Sequence, residues 1–331
     1  MFFIYTSVIF ARKNLLMYIS YCPLRISLFG GSTDSPYFVE KYGYGSVISF
    51  ASNLKTYVTL GRDIFGVNNL DHKYRLNYSN REDVCKVSDI KNEVIRVVLE
   101  HFNIGPVQIN LFGDAYSQGS GLASSSSYII SLIKSVCMFL DKSLSDVEIC
   151  SLAYKLERKF NPYCGYQDPF GCGVGGFKRI EFYPNDRVTY DYLPSSFFDP
   201  FDMHLVFTGV TRNSKNVLKD VNDNLEKVKN LLPIVDEAYD AIVNNDHFKI
   251  FELLNKSWEE KKKTSSIIVE NEVIKNIDKE LYENNTVLSH KLCGAGNGGF
   301  FLVFSEKNNL NIPHHAVKIN VSSEGVSGRK I

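Results

Sequence analysis

A glycine- and serine-rich stretch at the start of a helical pattern constrains this chain more than any other feature. The stretch is Gln118-Gly-Ser-Gly-Leu-Ala-Ser-Ser-Ser-Ser127, and apolar residues then recur at three- and four-residue steps from Ile129 to Leu140. Glycines let a backbone approach an anion, and the first-turn amides of a helix lack helical partners and lie at its positive end. The pattern predicts a phosphate-binding loop and a helix from Ser124, with a flexible serine-rich linker or an over-capped helix as the alternatives.

Two other stretches contain G-x-G-x-x-G, the pattern of dinucleotide-binding loops. They run from Gly171 to Gly176 and from Gly294 to Gly299. Strand-like residues follow both stretches, with Phe-Phe-Leu-Val-Phe after the second, whereas a dinucleotide site needs a helix there. Neither stretch therefore predicts a dinucleotide site, and no Walker A sequence occurs in the chain.

Composition excludes several classes of protein. A chain of 331 residues with 44% hydrophobic residues can bury a large core, in two domains or one large one. Lys+Arg and Asp+Glu both total 37, so no net field would draw the chain to nucleic acid or to an anionic membrane. The 7 cysteines lack a C-x-x-C pair, which favours reduced thiols in the cytoplasm. No apolar run reaches about 18 residues, so no transmembrane helix is predicted.

The pattern of apolar residues predicts an α+β protein with two domains. A turn-rich break at 192–200 separates the predicted domains, residues 1–193 with the loop 119–127 and residues 194–331 with the glycine loop 294–299. Residues 1–16 are interpreted either as an extension or as the result of a misplaced start, because the first clear strand pattern lies in the stretch that begins at Met17. The other predicted elements are strands at 46–60 and 203–208 and helices at 91–102, 145–160, 214–243 and 247–284.

Two segments receive a plain structural interpretation. Leu24, Ile26 and Leu28 alternate with Arg25 and Ser27, which is the pattern of a half-buried strand. The charged run at 259–263, Glu-Glu-Lys-Lys-Lys, is interpreted as a solvated helix face rather than as a binding patch.

Oxygen ligands suited to a Mg²⁺-nucleotide complex lie near the glycine- and serine-rich stretch. Magnesium usually takes one or two ligands from the protein and the rest from phosphate and water. Ser124 or Ser125 can offer a hydroxyl, and Glu157, late in a predicted helix, can offer a carboxylate. Asp168 follows in Gly-Tyr-Gln-Asp-Pro-Phe-Gly, a loop that could direct a carboxylate into a cleft. Taken singly, Glu157 or Asp168 would more often be interpreted as a surface residue than as a site residue.

Three separated stretches, "PLRISLFGGSTD", "GSGLASSSS" and "KLCGAGNGGF", together resemble the three motifs of the GHMP kinases. Within that superfamily the chain resembles the sugar-1-kinase branch, particularly its heptose 7-phosphate kinases, through "QDPFGCGVGGFKRIEFY", "FTGVTRNS" and "SWEEKK". The resemblance covers about residues 17–331. It implies a ribosomal protein S5 domain 2-like N-terminal domain and a ferredoxin-like C-terminal domain, with the C-terminal glycine loop closing on the nucleotide and substrate region.

The resemblance also implies roles for individual residues. Ser125 or its neighbour Ser124 would bind Mg²⁺ together with Glu157, Asp168 would act at the sugar hydroxyl, and Arg25 would stabilise the γ-phosphate and Asp168. The residues implied to hold the ATP phosphates are Gly119, Ser120, Gly121, Leu122, Ala123, Ser124 and Ser125. The residues implied to contact the substrate are Gly31, Ser32, Thr33, Asp34, Arg212, Gly294 and Gly296.

The chain departs from the family pattern in three places. Ala123 replaces the third glycine of the phosphate loop, Ser32 replaces a usual glycine, and the proline that precedes the phosphate loop is absent. An added methyl at position 123 would crowd the phosphates if that position needs a positive φ. These departures bear on catalytic efficiency rather than on the fold.

The expected activity is transfer of the ATP γ-phosphoryl group to the anomeric hydroxyl of D-glycero-D-manno-heptose 7-phosphate, giving the 1,7-bisphosphate. A kinase of another sugar, of the fucose or galactose type, and a catalytically silent sugar- or nucleotide-binding regulator are the alternatives. A basic side chain should meet the acceptor's own phosphate, and Arg212 and Lys215 are candidates, with ordinary surface charges as the other interpretation. The expected partner is a small sugar phosphate, and both a monomer and a homodimer remain open.

Overall fold

The structure, a computed structural model, describes residues 17–62, 72–115, 119–211 and 214–331. The strands in these ranges are β1 (Met17–Phe29), β2 (Gly45–Gly61), β3 (Tyr74–Asn77), β4 (Arg81–Val84), β5 (Gln108–Gly113), β6 (Phe177–Tyr183), β7 (Arg187–Tyr192), β8 (Phe201–Phe207), β9 (Ser289–Leu292), β10 (Phe300–Glu306), β11 (Ala316–Ile319) and β12 (Ser327–Lys330). The α-helices are α1 (Pro36–Tyr42), α2 (Glu93–Phe102), α3 (Ser124–Phe139), α4 (Asp146–Glu157), α5 (Gln167–Gly173), α6 (Ser214–Asp223), α7 (Leu225–Lys229), α8 (Leu231–Val243), α9 (His247–Lys263) and α10 (Glu272–Glu283). Short 3₁₀ helices cover Val87–Asp89, Ser195–Phe198 and Ser266–Val269.

The first sheet has the strand order β12-β1-β2-β5-β3-β4, and β6 and β7 extend it from the other half of β2. The long strand β2 pairs with β5 over residues 56–61 and with β6 over residues 45–50. Helices α2, α3, α4 and α5 share one apolar core with this sheet. The strand predicted at 46–60 and the helices predicted at 91–102 and 145–160 are thereby confirmed, as parts of β2, α2 and α4.

The first strand is buried on both faces, which corrects the prediction of a half-buried strand. Leu24, Ile26 and Leu28 pack in a core shared with α8, α9 and the second sheet. Arg25 and Ser27, on the opposite face, are each 5% exposed. The alternation of apolar and polar residues is therefore real, but the polar face lies at the floor of a cleft rather than in bulk water.

The serine-rich start of α3 packs the helix closely against β1 and β2. The Ser127 hydroxyl donates to the Cys22 carbonyl at 2.9 Å and lies 2.6 Å from the Thr56 hydroxyl. One turn later the Ser20 hydroxyl donates to the Ser131 carbonyl at 2.6 Å. Small hydroxyl side chains allow this close approach and satisfy one another, as buried polar groups must. The predicted helix from Ser124 is confirmed, and the linker alternative is wrong.

The second sheet is antiparallel, with the strand order β11-β8-β10-β9. Its central strand β10 follows the glycine loop 294–299 directly, as the sequence predicts. Helices α8, α9 and α10 pack with this sheet through two apolar clusters. The first stretch with the dinucleotide pattern likewise leads into a strand, β6, so both matches have the wrong context for a dinucleotide site.

The helices predicted at 214–243 and 247–284 are wrong in extent, because each segment is divided. Residues 214–243 form α6, α7 and α8, and residues 247–284 form α9 and α10 around a 3₁₀ turn. After α9, the Thr264 hydroxyl donates to the Lys261 carbonyl and the Ser265 side chain caps the next turn. Asn271 then accepts from the Val273 amide and starts α10. Such side chains satisfy backbone groups locally and so compete with helix continuation.

The last strand returns to the first sheet. Strand β12 pairs with residues 18–21 of β1, and the Val326 amide donates to the Gly173 carbonyl at 2.9 Å. All strands before residue 193 belong to the first sheet, and those after it belong to the second sheet except β12, which joins the first. The division into two domains at residue 193 stays a prediction. Within the described ranges, no helix combines the length and apolarity that crossing a bilayer requires.

Candidate active site

A cleft of about 520 Å³ lies where the phosphate loop, β1, α5 and the second-sheet helices meet. It brings together most of the residues that the sequence predicts for the site. The predicted residues that line the cleft are Arg25, Gly31, Ser32, Asp34, Gly119, Ser120, Gly121, Ala123, Ser124, Ser125, Glu157, Asp168 and Gly294.

The phosphate loop takes a left-handed backbone at three positions. Gly119, Gly121 and Ala123 have φ values of 68°, 77° and 61°. The last of these turns the chain into α3, so the first amides of the helix lie at the cleft without helical partners. Ser120 steadies the loop, because its hydroxyl accepts from the Leu122 amide at 3.2 Å and lies 3.0 Å from the Ser124 hydroxyl. This geometry suits a bound phosphate.

Both departures from the family glycines occur where the backbone favours glycine. Ala123 has a φ of 61° and Ser32 a φ of 85°. Position 123 therefore has the positive φ at which a methyl group matters, because a side chain in the left-handed region is strained by roughly 1–2 kcal/mol. The fold holds both residues in these conformations at the cleft wall.

The third glycine motif packs directly against the phosphate loop. Gly299 has a φ of 95°, and an added Cβ there would lie 2.2 Å from the Ser120 carbonyl oxygen. Gly294 lines the cleft, whereas Gly296 has a φ of 104° and packs against Ile268. Gly299 therefore allows the close approach of this motif to the backbone of the phosphate loop.

Arg25 and Asp168 form an ion pair at the floor of the cleft. Nε and Nη2 of Arg25 donate to Oδ1 of Asp168 at 3.0 and 2.7 Å, and Nη1 donates to the Gly121 carbonyl at 2.5 Å. Burial disfavours the guanidinium charge, but Asp168 outweighs it and holds the pKa of Arg25 above its usual value. Within the described ranges, Oδ2 of Asp168 accepts no hydrogen bond. One residue thus links the phosphate loop to a carboxylate with a free oxygen.

The approach of α5 to β1 depends on Gly171. An added Cβ at this position would lie 3.0 Å from the Cβ of Arg25. The glycine belongs to the first stretch with the dinucleotide pattern, so that stretch serves the packing of α5. As a result Asp168, in the first turn of α5, reaches the guanidinium of Arg25.

Glu157 is a buried carboxylate beside the start of α3. Its side chain is 3% exposed, and Oε2 accepts a very short hydrogen bond from the Ser126 hydroxyl. Burial, reinforced by the charge of Asp168, raises the pKa of Glu157 to about 7. A divalent cation would stabilise the charged form, and hard oxygen ligands are those Mg²⁺ prefers. Ser125 also lines the cleft and lowers the pKa of Glu157, so this pair of oxygen donors fits the predicted magnesium site.

Asp34 is held at the opposite wall of the cleft. Its Oδ1 accepts from the Ser32 amide at 3.1 Å, and its Oδ2 accepts from the Gln167 amide at 3.0 Å. Burial and the nearby Asp168 raise the pKa of Asp34. An added Cβ at Gly165 would lie 2.0 Å from Oδ2, so the loop before α5 needs glycine there.

Three predicted site residues lie outside the cleft lining, and one lies outside the described residues. Thr33 is fully buried, and its hydroxyl donates to the carbonyls of Gly30 and Ser46 at 2.8 Å. Leu122 is buried in the core and Gly296 packs on Ile268. Thr33 and Leu122 therefore support the loops from beneath, while Arg212 is not among the described residues.

Ser27, Gln167 and Lys261 are among the residues of the cleft that the sequence prediction missed. The interpretation of residues 259–263 as a solvated face is wrong for Lys261, which is only 8% exposed. A signal for it existed in the sequence, because it extends the buried stripe of α9 at three- and four-residue steps. The buried residues of that stripe are Ile250, Leu253, Leu254, Ser257, Trp258 and Lys261.

Comparison with known proteins is consistent with this geometry. A family model described as GHMP kinases N terminal domain matches residues 89–176. The D-glycero-alpha-D-manno-heptose 7-phosphate kinase of Campylobacter jejuni is 31% identical over 302 residues, which cover 85% of this chain and 87% of the relative. The L-fucokinase/L-fucose-1-P guanylyltransferase of Bacteroides fragilis is 25% identical, over 90% of this chain and 35% of that longer protein.

Solved structures show the same fold. The crystal structure of a D-glycero-D-manno-heptose 1-phosphate kinase from Bacteroides thetaiotaomicron superposes with a TM-score of 0.75 at 22% identity, covering 95% of this chain and 99% of that one. GHMP kinases use ATP as the phosphoryl donor, in keeping with the phosphate loop described above. From the shared fold and the similarity along most of its length, we conclude that this chain belongs to the GHMP kinases and is a sugar kinase of that family.

Proposed function

We propose that the protein transfers the γ-phosphoryl group of ATP to the anomeric hydroxyl of D-glycero-D-manno-heptose 7-phosphate. The observation that carries the proposal is the Arg25–Asp168 pair, which places a carboxylate with one free oxygen beside the phosphate loop. The similarity to the Campylobacter jejuni kinase supports the choice of heptose 7-phosphate.

On the donor side, the backbone of residues 119–125 and the start of α3 would hold the ATP phosphates. Positioning and charge neutralisation supply most of the rate in phosphoryl transfer. Glu157 and Ser125 would hold Mg²⁺, which when bound neutralises charge on the phosphates. Arg25 reaches the carbonyl of Gly121 inside the loop, so its guanidinium lies where it can stabilise the transferring phosphate.

On the acceptor side, Asp168 would orient the attacking hydroxyl and accept its proton. Both hydrogen bonds from Arg25 fall on Oδ1, which leaves Oδ2 for the acceptor. The loop from Gly31 to Asp34 would contact the sugar, with Thr33 fixing the loop from beneath through Gly30 and Ser46. Gly294 would lie at the same end of the cleft, and Arg212 keeps its predicted role as a contact to the acceptor's phosphate.

We place the enzyme in the cytoplasm, where its free thiols stay reduced. The seven cysteines, all within the described residues, form no disulfide, and Cys85 is exposed while the others are buried. The balanced charge of the chain gives no reason to expect nucleic acid as a partner. A homodimer is compatible with this function, because one chain supplies all the cleft residues described above.

A panel of acceptors tests the proposed function. ADP release is measured with ATP and heptose 7-phosphate, unphosphorylated heptose, fucose, galactose and mevalonate in turn. We expect heptose 7-phosphate to give the highest kcat/KM. Highest activity on fucose or galactose would assign a different sugar, and no activity on any acceptor would favour a silent binding protein.

A further inference from the structure

Lys178, in β6, is a fully buried lysine beside the end of α5. It is 0% exposed, and its ammonium donates to three backbone carbonyls, those of Gly171 at 3.2 Å, Gly175 at 2.5 Å and Gly176 at 3.3 Å. Within the described ranges, no carboxylate forms an ion pair with it. A buried ammonium needs such bonds to offset its lost hydration. Its three N–H groups match the three carbonyls, whereas a neutral amine has only two.

The three carbonyls form a fixed point between α5 and the first sheet. Gly171 lies in the last turn of α5, where carbonyls lack helical partners and a cation is stabilising. Gly175 and Gly176 lead from the helix into β6. The Gly176 carbonyl also accepts from the Ala51 amide of β2 at 3.0 Å. Lys178 therefore ties the end of α5 to a part of the sheet that is already held in place.

The same end of α5 touches the residue that holds Asp168. An added Cβ at Gly171 would lie 3.0 Å from the Cβ of Arg25, so α5 and β1 are in contact at this glycine. Asp168 lies about one turn earlier in α5 and accepts two hydrogen bonds from Arg25. The helix has only 7 residues, so a shift of Gly171 away from β1 would move Asp168 relative to Arg25.

We propose that Lys178 is a positioning residue for the reaction: as an ammonium it fixes the end of α5 and thereby holds Asp168 against Arg25, facing the acceptor hydroxyl. The inference rests on the proposed function, in which Asp168 accepts the proton of that hydroxyl. Lys178 is not itself a catalytic residue, because it is fully buried and lies outside the lining of the cleft. Loss of its proton would leave one carbonyl without a donor and would loosen α5.

The groups that face Lys178 leave it as the one that titrates near neutral pH. Burial lowers the pKa of Lys178 to about 8. The titratable side chains that face it are three thiols, Cys172 of α5, Cys150 of α4 and Cys22 of β1. Burial raises the pKa of each thiol, that of Cys172 to about 12, so they stay neutral up to pH 9. A change in turnover with this cluster between pH 7 and pH 9 would therefore report Lys178.

The kinetic test compares the wild type with Lys178→Met, which keeps the aliphatic stem and loses the ammonium. With the acceptor that the panel identifies, kcat at pH 7 should fall about tenfold, because small displacements of a reacting group are costly. KM for ATP should stay within about twofold. At pH 9 the wild type loses its ammonium, so the two kcat values should differ by less than about threefold. Lys155→Met, at an exposed position of α4, is the matched control and should behave as the wild type at both pH values.

A second measurement needs no acceptor. Amide hydrogen exchange in residues 167–173, followed by mass spectrometry at pH 7, should be at least about fivefold faster in Lys178→Met than in the wild type, with exchange in residues 129–139 of α3 unchanged. If Lys178→Met does not fold, the wild type alone decides, because its kcat should fall about fivefold between pH 7 and pH 9.

Three results would overturn the inference. They are equal exchange of α5 in both proteins, a ratio of the two kcat values that is the same at pH 7 and pH 9, and a wild-type kcat that is constant over this range. Faster exchange of α5 in Lys178→Met together with no turnover of any acceptor would support the hold of Lys178 on α5 and refute the proposed function, so the two failures are distinguishable.

Discussion

The donor and acceptor sides of the cleft are built in different ways. The side proposed to hold the donor is one contiguous segment, residues 119–125 with the start of α3. The acceptor side gathers Ser27 from β1, Gln167 from α5 and Lys261 from α9, and the Lys261 contact spans 230 residues of chain. The residues of one side therefore come from a single local motif, whereas those of the other side come together only through tertiary packing.

Asp168 lies between the two sides, and its loss should have the largest effect. Asp168→Asn keeps the size of the side chain but removes its charge and its capacity to accept a proton, so kcat should fall by roughly 10²–10⁴-fold. ATP affinity, measured by nucleotide fluorescence, should change little. Asp191→Asn, on the exposed strand β7, is the matched control. A kcat within about threefold of the wild type would remove Asp168 from the chemistry.

Glu157 should make the donor side sensitive to pH when Mg²⁺ is absent. Burial raises the pKa of its carboxyl from 4.5 to about 7, so the folded state binds more protons than the unfolded state between these values. The contribution of Glu157 to stability is therefore greatest below pH 4.5 and falls as the pH rises through 7, by about 3 kcal/mol. Glu157→Gln lacks this loss and should be more stable than the wild type at pH 8. The free energy of unfolding of both proteins is measured by urea unfolding at pH 5 and pH 8. An equal change between the two pH values in the wild type and in Glu157→Gln would contradict this prediction.

The same substitution tests the predicted magnesium site. Glu157→Gln removes one anionic ligand, so the Mg²⁺ concentration for half-maximal turnover should rise about tenfold. The measurement is a Mg²⁺ titration at saturating ATP and acceptor. An unchanged titration would leave Glu157 as a structural residue that positions Ser126.

Ala123 offers the smallest predicted effect, again on the donor side. Ala123→Gly relieves the strain at a φ of 61° but adds freedom to the unfolded chain, so the free energy of unfolding should rise by about 0.5–1 kcal/mol. Ala153→Gly, inside helix α4, is a control for which we expect the opposite change. Its free energy of unfolding should fall by about 1 kcal/mol. Urea midpoints measure both. Destabilisation of Ala123→Gly would show that the loop tolerates alanine without strain.

The elements around the phosphate loop could be predicted because the information for them is local. The helix from Ser124, the strand after Gly299 and the candidates Glu157 and Asp168 follow from short patterns, Arg25 follows from the family resemblance, and the structure brings all three candidates to one cleft. The assignment of roles to them stays a prediction.

The acceptor side could not be predicted in the same way. Lys261 stands in a charged run that is typical of a solvated helix, and although it continues the spacing of the buried residues of α9, that spacing does not show which groups it contacts. The divided helices have a similar cause, because Thr264, Ser265 and Asn271 take backbone hydrogen bonds locally where apolar periodicity suggests continuation. Burial and competing local bonds depend on the whole fold, and residue patterns do not report them.

The most direct test of the account is the product made from ATP and D-glycero-D-manno-heptose 7-phosphate, followed by ³¹P nuclear magnetic resonance. We predict that the wild type forms a second phosphate ester at the anomeric carbon while the original 7-phosphate persists, and that Asp168→Asn forms it at least about a hundredfold more slowly. Release of ADP with only inorganic phosphate as the new signal, or esterification at another hydroxyl, would contradict the account.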